Sequence, residues 1–350
     1  VTARIAGTGA GLPPSYSQDM LWSTFFRSHF NGSPIARRIF DGAGVASRHS
    51  ATDPRKFEVV PEWSTGLRMR RYGEQAPRLG LRAVQEALAE AGTEPGEIGM
   101  LAVASCTGYG TPGVDVELAR SLPLSPDARR LLVGHTGCHA AVPTLAAASD
   151  YVRANGRPAV VLCLELTSLH LQPATSEVDQ MVAHSLFGDA AAALVLRPDD
   201  APAPGLRVVD VAARTDTGRR GQMTWDVTDL GFRMGLSPEV PDALGEQIGP
   251  MVKDLLVRHG LDLSDVRGWA VHPGGPRILD AVQEGLGLDP EALSTSRAVL
   301  AEHGNCSSAT VLLVLRAMLG AGEPSGPVVA AAFGPGLTLY AALLEPAPPT

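Results

Sequence analysis

The sequence holds little of what marks a nucleic-acid binder, a membrane protein or a disulfide-stapled fold. Lysine is scarce, no long basic run occurs, and the net charge is −8 at pH 7. Nucleic-acid binding leaves a basic footprint, so that class is disfavoured. No apolar run reaches the ~20 residues that span a bilayer. The first residues, Val-Thr-Ala-Arg-Ile-Ala, lack the basic head and apolar core of a signal peptide. The 350 residues include four cysteines, at 106, 138, 163 and 306, without C-x-x-C spacing. A disulfide framework or a zinc site fits them poorly, whereas a reducing, cytoplasmic setting suits them. No G-x-S-x-G is present, which leaves a Ser-His-Asp hydrolase unsupported. Gly7 and Gly9 begin a G-x-G-x-x-G, but Leu12 ends it, so no dinucleotide site is expected.

What is present is apolar: 45% hydrophobic residues against 19% charged ones. That composition supplies a core for one large α/β domain or two fused ones. Buried strands are expected at Ile98 to Ala104, Pro158 to Leu166, Gly268 to His272 and Val328 to Ala332. Helices are expected at 18–40, 66–92, Ala140 to Val152, Leu244 to His259, Ile278 to Glu284 and Ala309 to Leu319. The stretch Pro198 to Gly205 is the natural boundary between halves 1–200 and 201–350.

The halves repeat one another. Phe187-Gly-Asp before an apolar strand matches Phe333-Gly-Pro-Gly before another. Gly137-Cys138 and Gly304-Asn305 each open a helix. Thr107 precedes Cys138 by 31 residues, and His272 precedes Asn305 by 33. A duplicated βα plan places matching strand ends near one pseudo-twofold axis.

Cys138, His272 and Asn305 are thereby candidates for a single site. A cysteine at a strand-to-helix turn faces free N–H groups and a helix dipole, which favour thiolate. Histidine and asparagine side chains can stabilise negative charge developing on a thioester oxygen. The plainer readings are a packed cysteine and a helix-capping asparagine. His303 is the rival histidine. His135 and His139 flank Cys138, but His135 precedes the helix, so the two would not share a face and no metal site is expected.

In order and spacing, Gly137-Cys138, Leu186-Phe187-Gly188-Asp189, His272-Pro-Gly-Gly275, Gly304-Asn305 with Ser307-Ser308-Ala309, and Phe333-Gly334-Pro335-Gly336 resemble the type III polyketide synthases. These are the chalcone-synthase-like members of the thiolase superfamily. The resemblance covers nearly the whole chain. It implies the α/β, duplicated, five-layered αβαβα thiolase-like fold, a homodimer and a cytoplasmic enzyme. The substrates would be malonyl-CoA and an acyl-CoA starter, with no metal or redox cofactor. Cys138 would carry the acyl chain, while His272 would hold it as thiolate and, with Asn305, bind the thioester carbonyl of malonyl-CoA as it loses CO₂. The polyketide would then close to a pyrone, resorcinol, phloroglucinol or naphthalene ring.

The resemblance also assigns lesser roles. Phe187 matches a gatekeeper, and Met234 stands where a second gatekeeper is phenylalanine. Glu165, Thr167 and Ser307 match cavity positions, and His170 replaces a small hydroxyl residue. The Phe333, Gly334, Pro335 and Gly336 loop borders the cavity. Thr111 lies in the loop that reaches the partner subunit's cavity. Arg38 aligns with a cation on the CoA phosphates, with Arg37 beside it; the family's other basic residues there are unmatched. Cys106 is set as in bacterial tetrahydroxynaphthalene synthases, or is a cavity-wall cysteine without chemistry, whereas Cys163 and Cys306 read as structural. The rival enzyme is a single-round ketoacyl-acyl-carrier-protein synthase III. The non-enzyme rival is an inactive scaffold subunit, which would lack a member of the Cys-His-Asn set.

Overall fold

The computed structural model describes residues 2–199, 203–322 and 324–347. The first half contributes strands β1 (Ala3–Gly11), β2 (Met100–Ser105), β3 (Arg129–Gly134), β4 (Ala159–Glu165) and β5 (Ala190–Pro198). The second contributes β6 (Leu206–Thr215), β7 (Gly268–Val271), β8 (Val328–Gly334) and β9 (Thr338–Pro346). Hydrogen bonding orders them β7-β8-β9-β6-β1-β5-β4-β2-β3. Each half thus reads outward in the same sense, β1-β5-β4-β2-β3 against β6-β9-β8-β7. The directions agree too: β5 is antiparallel to β1 and β4, and β9 to β6 and β8. The next pairs, β4 with β2 and β8 with β7, are parallel. The halves meet through Ala3–Ile5 paired with Leu206–Val208.

The pleat explains the layering. Along β2, Ala102 and Ala104 join the core shared by both halves, while Leu101 and Val103 join the outer core of the first half. Along β8, Val328, Ala330 and Ala332 face the shared core, and Val329, Ala331 and Phe333 face the outer core of the second half. Successive strand residues point to opposite faces. Small residues on the inner faces let two helices lie between the sheets. These are Ala141–Asn155 and Ala309–Gly320, the latter apolar almost all round, as a helix buried on every side must be. The long helices Thr65–Ala91 and Val240–Val257 cover the outer faces. The result is the five-layered thiolase-like arrangement.

Two departures from expectation matter. The span 18–40 is not one helix. A π-helical turn at Trp22–Phe26 interrupts it, and Asn31 and Gly32 adopt positive φ before Ser33 caps a new helix at Pro34–Asp41. Proline at the first helical position starts that helix afresh. Among the described residues the second half also has no counterpart of β3. Its place is taken by the helices Pro290–Leu293 and Ser294–His303, and Ser296 Oγ accepts a hydrogen bond from Val271 N, 3.2 Å away, at the outer edge of β7. The opposite edge, β3, carries no such cover among the described residues, and its Leu132 is 45% exposed. Of the boundary stretch, residues 200–202 lie outside the described residues. No described helix is long and apolar enough to cross a membrane.

Candidate active site

Cys138 lies in the turn between β3 and the buried helix that starts at Ala141, whose first turn has no side-chain cap. Gly137 takes φ +83°, and a Cβ there would meet Pro335 Cδ at 2.4 Å. A Cβ on Gly334 would stand 3.2 Å from Cys138 N and 2.5 Å from His139 Nδ1. The Gly-Cys turn of one half and the Gly-Pro-Gly turn of the other therefore interlock, and side chains at these glycines would separate them.

His272 follows the last residue of β7, and its N–H donates to Ala331 O at 2.8 Å. Its Nδ1 is buried without a partner. Burial pushes its pKa down to about 3 and pushes the Cys138 thiol up to about 12. A low-dielectric cavity favours the uncharged form of each group.

The Asn305 side chain is oriented by its neighbours. Its Oδ1 accepts from Ser307 N at 2.9 Å, and its Nδ2 donates to Gly274 O at 3.3 Å. One amide hydrogen remains uncommitted. Cys138, His272 and Asn305 all line one cavity of about 650 Å³, together with Phe187, Met234 and Phe333. Their convergence is what the duplicated landmarks implied.

Behind Cys138 lies a smaller chamber of about 20 Å³ that Cys106, Ser307, Phe187 and Met234 also border. Ser307, at φ +50°, sets its hydroxyl 3.6 Å from Cys138 Sγ and 3.4 Å from Cys106 Sγ. Glu165 stands behind Cys106, fully buried. One carboxylate oxygen accepts from Cys106 N (3.0 Å) and Thr107 Oγ1 (2.8 Å), the other from Ser308 Oγ (2.5 Å) and Cys106 Sγ (3.3 Å). Burial raises its pKa despite those donors. The Cys106 thiol is also raised, first by burial and then by Glu165. Cys163 and Cys306 are buried, with thiols raised mainly by burial.

His170 is a neutral imidazole in a fixed tautomer. Its Nδ1 accepts from Phe232 N at 2.9 Å, so Nε2 carries the hydrogen and donates to Thr107 O at 2.7 Å. Burial pushes its pKa down to about 3. Its ring stacks on Phe232 with centroids 4.5 Å apart. Thr167 Oγ1 donates to Gly188 O and to Asp189 Oδ1, which fixes the turn after Phe187.

Several site residues escaped sequence reasoning. Met223–Thr228 and Gly231–Leu236 form a β-hairpin in which Trp225 pairs with Met234. Trp225 Nε1 donates to Cys106 O at 2.7 Å, and its ring borders the Cys138 chamber and a second one of about 50 Å³ that His170 also lines. Arg48 Nη1 donates to His184 O (2.5 Å) and Phe187 O (2.9 Å), holding the turn that carries Phe187. Asp189, fully buried, accepts from Ala51 N and Ser168 N at 2.8 Å each. Short alternation around Trp225 was the available signal for the hairpin; nothing local marked Arg48.

The remaining candidates lie outside these chambers. Arg37 is engaged by Asp19 (3.1 Å) and Asp41 (2.7 Å) and sits over the Trp22 ring. Arg38 is exposed on the same helix. Thr111 is exposed in the loop after β2 and borders none of the three cavities. His135 turns toward Tyr109 and Phe232 while His139 stacks on Tyr340, so the two do not converge. Among the described residues no three His, Cys, Asp or Glu side chains are grouped as metal ligands.

Residues 55–200 match the N-terminal domain of chalcone and stilbene synthases, and residues 215–348 match the C-terminal domain. A Mycobacterium tuberculosis protein named alpha-pyrone synthesis polyketide synthase-like Pks18 is 35% identical over 321 residues, covering 88% of this chain and 81% of that protein. The crystal structure of PKS-I from the brown alga Ectocarpus siliculosus superposes with a TM-score of 0.92 at 30% identity, over 99% of this chain and 98% of that one. The C-terminal type III polyketide synthase domain of Steely1, a type I/III hybrid from Dictyostelium, superposes with a TM-score of 0.93 at 26% identity, over 99% and 100%.

Proposed function

Since this chain belongs to the chalcone and stilbene synthases and is a type III polyketide synthase, we propose that Cys138, His272 and Asn305 carry its condensing chemistry. The observation that supports this reading is their convergence on the 650 Å³ cavity. Cys138 Sγ gives its proton to His272 and attacks the starter thioester carbonyl; the C–S bond to CoA breaks and CoA departs as the thiol. Malonyl-CoA then loses CO₂, and the electron pair of the broken C–C bond forms an enolate whose oxygen receives hydrogen bonds from His272 and Asn305. The enolate carbon attacks the Cys138 thioester, which lengthens the chain and frees the sulfur. Transfer of the lengthened chain back to Cys138 opens the next round.

Phe187 and Met234 gate the passage between the CoA arm and the inner chambers. Cys106, Thr167, His170, Ser307 and the Phe333 to Gly336 loop shape the space in which the chain folds, while Glu165 braces Cys106 and Ser308 from behind. Arg38 receives the CoA phosphates, whereas Arg37 is held by its carboxylates and supports the helix. We further propose a cytoplasmic homodimer, with Thr111 facing the partner's cavity, and a division of the duplicated halves at residue 200.

The deciding experiment supplies malonyl-CoA alone, then with acyl-CoA starters of graded length, and reads products by mass spectrometry beside Cys138→Ala. Products that vanish in the variant support the assignment; undiminished products overturn it. Turnover of carrier-bound malonate alone would exclude CoA thioesters as this chain's substrates.

A further inference from the structure

Behind Phe187 lies the chamber of about 50 Å³ that His170 and Trp225 border. Every described residue lining it is buried except Phe187 and Trp225, and both of these are shared with the small chamber at Cys138. Its way out therefore leads toward the sulfur rather than to bulk solvent. Phe26, Phe57, Leu171 and Phe232 supply apolar wall, with polar side chains between them.

The donors on those polar side chains are spent on the protein itself, with one exception. His49 Nδ1 donates to Pro13 O, Ser50 Oγ to Thr52 O and His184 Nδ1 to Gln180 O. The Gln172 amide donates to the carbonyls of His170 and Phe232, and the Gln180 amide to Met234 O and Asp179. Thr167 and Ser168 donate to Asp189, His170 to Thr107 O and Trp225 to Cys106 O. The exception is Arg48, which is 5% exposed. Its Nη1 holds His184 O and Phe187 O, but its Nη2 is buried with no hydrogen-bond partner among the described residues. Burial pulls its pKa down to about 9, which still leaves a cation at neutral pH. Among the described residues no carboxylate lines the chamber. Asp189, which acts on Arg48 through space, has both oxygens filled by other donors: Oδ1 by Thr167 Oγ1 and Ser168 N, Oδ2 by Ala51 N and Ser168 Oγ.

We propose that Arg48 receives, in this chamber, a carboxylate at the far end of the acyl group carried on Cys138, so that the enzyme accepts starters of the dicarboxylic class, one carboxyl joined to CoA and the other free. The inference rests on the condensing function proposed above and names a substrate class for it. A buried donor left unfilled costs free energy, and an anionic oxygen on a guanidinium recovers it through a short, charge-assisted bond. The chamber has room for a group of a few atoms, as a carboxylate is. The acyl chain reaches it from the sulfur by passing Thr167 and Trp225, which border both chambers. The apolar wall suits the methylene groups, and the one unspent cationic donor suits the charged end.

The test pairs succinyl-CoA, glutaryl-CoA and adipoyl-CoA each with the thioester in which an isopropyl group replaces the free carboxylate. Calorimetry on Cys138→Ala reads binding without reaction, and intact-protein mass spectrometry on the wild type reads acyl loading. For at least one chain length the carboxylate member should bind and load about tenfold better than its partner. Adding Arg48→Met should erase that preference. The ratio within each pair is the readout, because losing Nη1 also loosens the turn at Phe187 and can shift both affinities together. Should Arg48→Met fail to fold, Arg48→Gln, which can keep one bond to that turn, takes its place. Equal or weaker binding of the carboxylate member at all three lengths overturns the proposal. A preference that survives the loss of the guanidinium also overturns it, since another group would then hold the carboxylate. A wild type that loads no acyl-CoA refutes the condensing function alone, and binding to Cys138→Ala still decides the chamber.

Discussion

Phe187 and Asn305 are joined main chain to main chain. They form a parallel bridge in which Asn305 N donates to Leu186 O at 2.8 Å and Gly188 N donates to Asn305 O at 3.0 Å. Two residues that line the main cavity are therefore tied together, although 118 positions separate them in the chain. Asn305→Ala keeps that bridge and deletes the amide. Decarboxylation of malonyl-CoA should fall by ~10²- to 10³-fold, the effect of losing one oxyanion donor. Phe187→Ala should instead keep decarboxylation and broaden the range of starters. Acetyl-CoA release and product spectra read the two effects separately.

In the proposed chemistry Cys138 depends on His272 for its reactivity. With its thiol pushed up to about 12 by burial, sulfur without a proton acceptor is almost wholly neutral at pH 7. Only the thiolate is nucleophilic. His272→Ala should therefore slow alkylation of Cys138 by iodoacetamide, and the residual rate should climb about tenfold per pH unit between pH 7 and 9. Peptide mapping of the modified cysteine supplies the rate.

Glu165 makes stability depend on pH. Its folded pKa lies above the ordinary value of 4.5 because burial disfavours the carboxylate. The stability from its neutral form is complete below that ordinary value and is lost as pH rises through the folded one. Glu165→Gln keeps an acceptor for Cys106 N and Thr107 Oγ1 and can donate to Ser308 Oγ. Its thermal midpoint relative to wild type should rise between pH 5 and pH 8, as differential scanning fluorimetry can follow.

Arg68 is buried, and among the described residues no carboxylate is hydrogen-bonded to it. It donates to the carbonyls of Trp63 (2.7 Å), Val60 (2.9 Å), Pro61 (3.1 Å), Leu171 (3.1 Å) and Leu169. These bonds tie the segment before the long helix to the turn that carries His170. Arg68→Ala strands several carbonyls at once and should cost at least about 3 kcal/mol. Urea unfolding measures the loss.

Met234→Phe fills the space beside its cross-strand partner Trp225. Overpacking at this buried position should cost about 1–3 kcal/mol. Acceptance of long acyl-CoA starters should fall before that of short ones, which a starter-length series by mass spectrometry shows.

The duplicated plan was legible because both halves keep their landmarks at strand ends, where spacing is fixed by β and α units. Cys138, His272 and Asn305 could thus be paired by position before any distance was known. Phe187, Ser307 and the Gly334 to Gly336 turn were legible for the same reason. Trp225 was not, because it lies on a short hairpin outside the main sheet, with no counterpart landmark to pair it with. Arg48 was hidden differently. Its significance depends on which carbonyls happen to lie near it, and those neighbours come from a distant segment. The broken helix at 18–40 was readable in principle: Asn31-Gly32-Ser33-Pro34 contains a stop and a cap, which the apolar pattern on either side outweighed.

The duplication was not completed at the rim of the sheet. Ser296 and its helix close the second half where the first half ends in the bare strand β3. Two open rims would let copies add end to end without limit. A molecule with one open rim can join a twin through it once, after which neither copy has a free one, so growth by that route is self-limiting. A helix in place of a strand at one end of the sheet thus leaves a single edge for strand pairing between copies, a limit written into the fold rather than onto its surface.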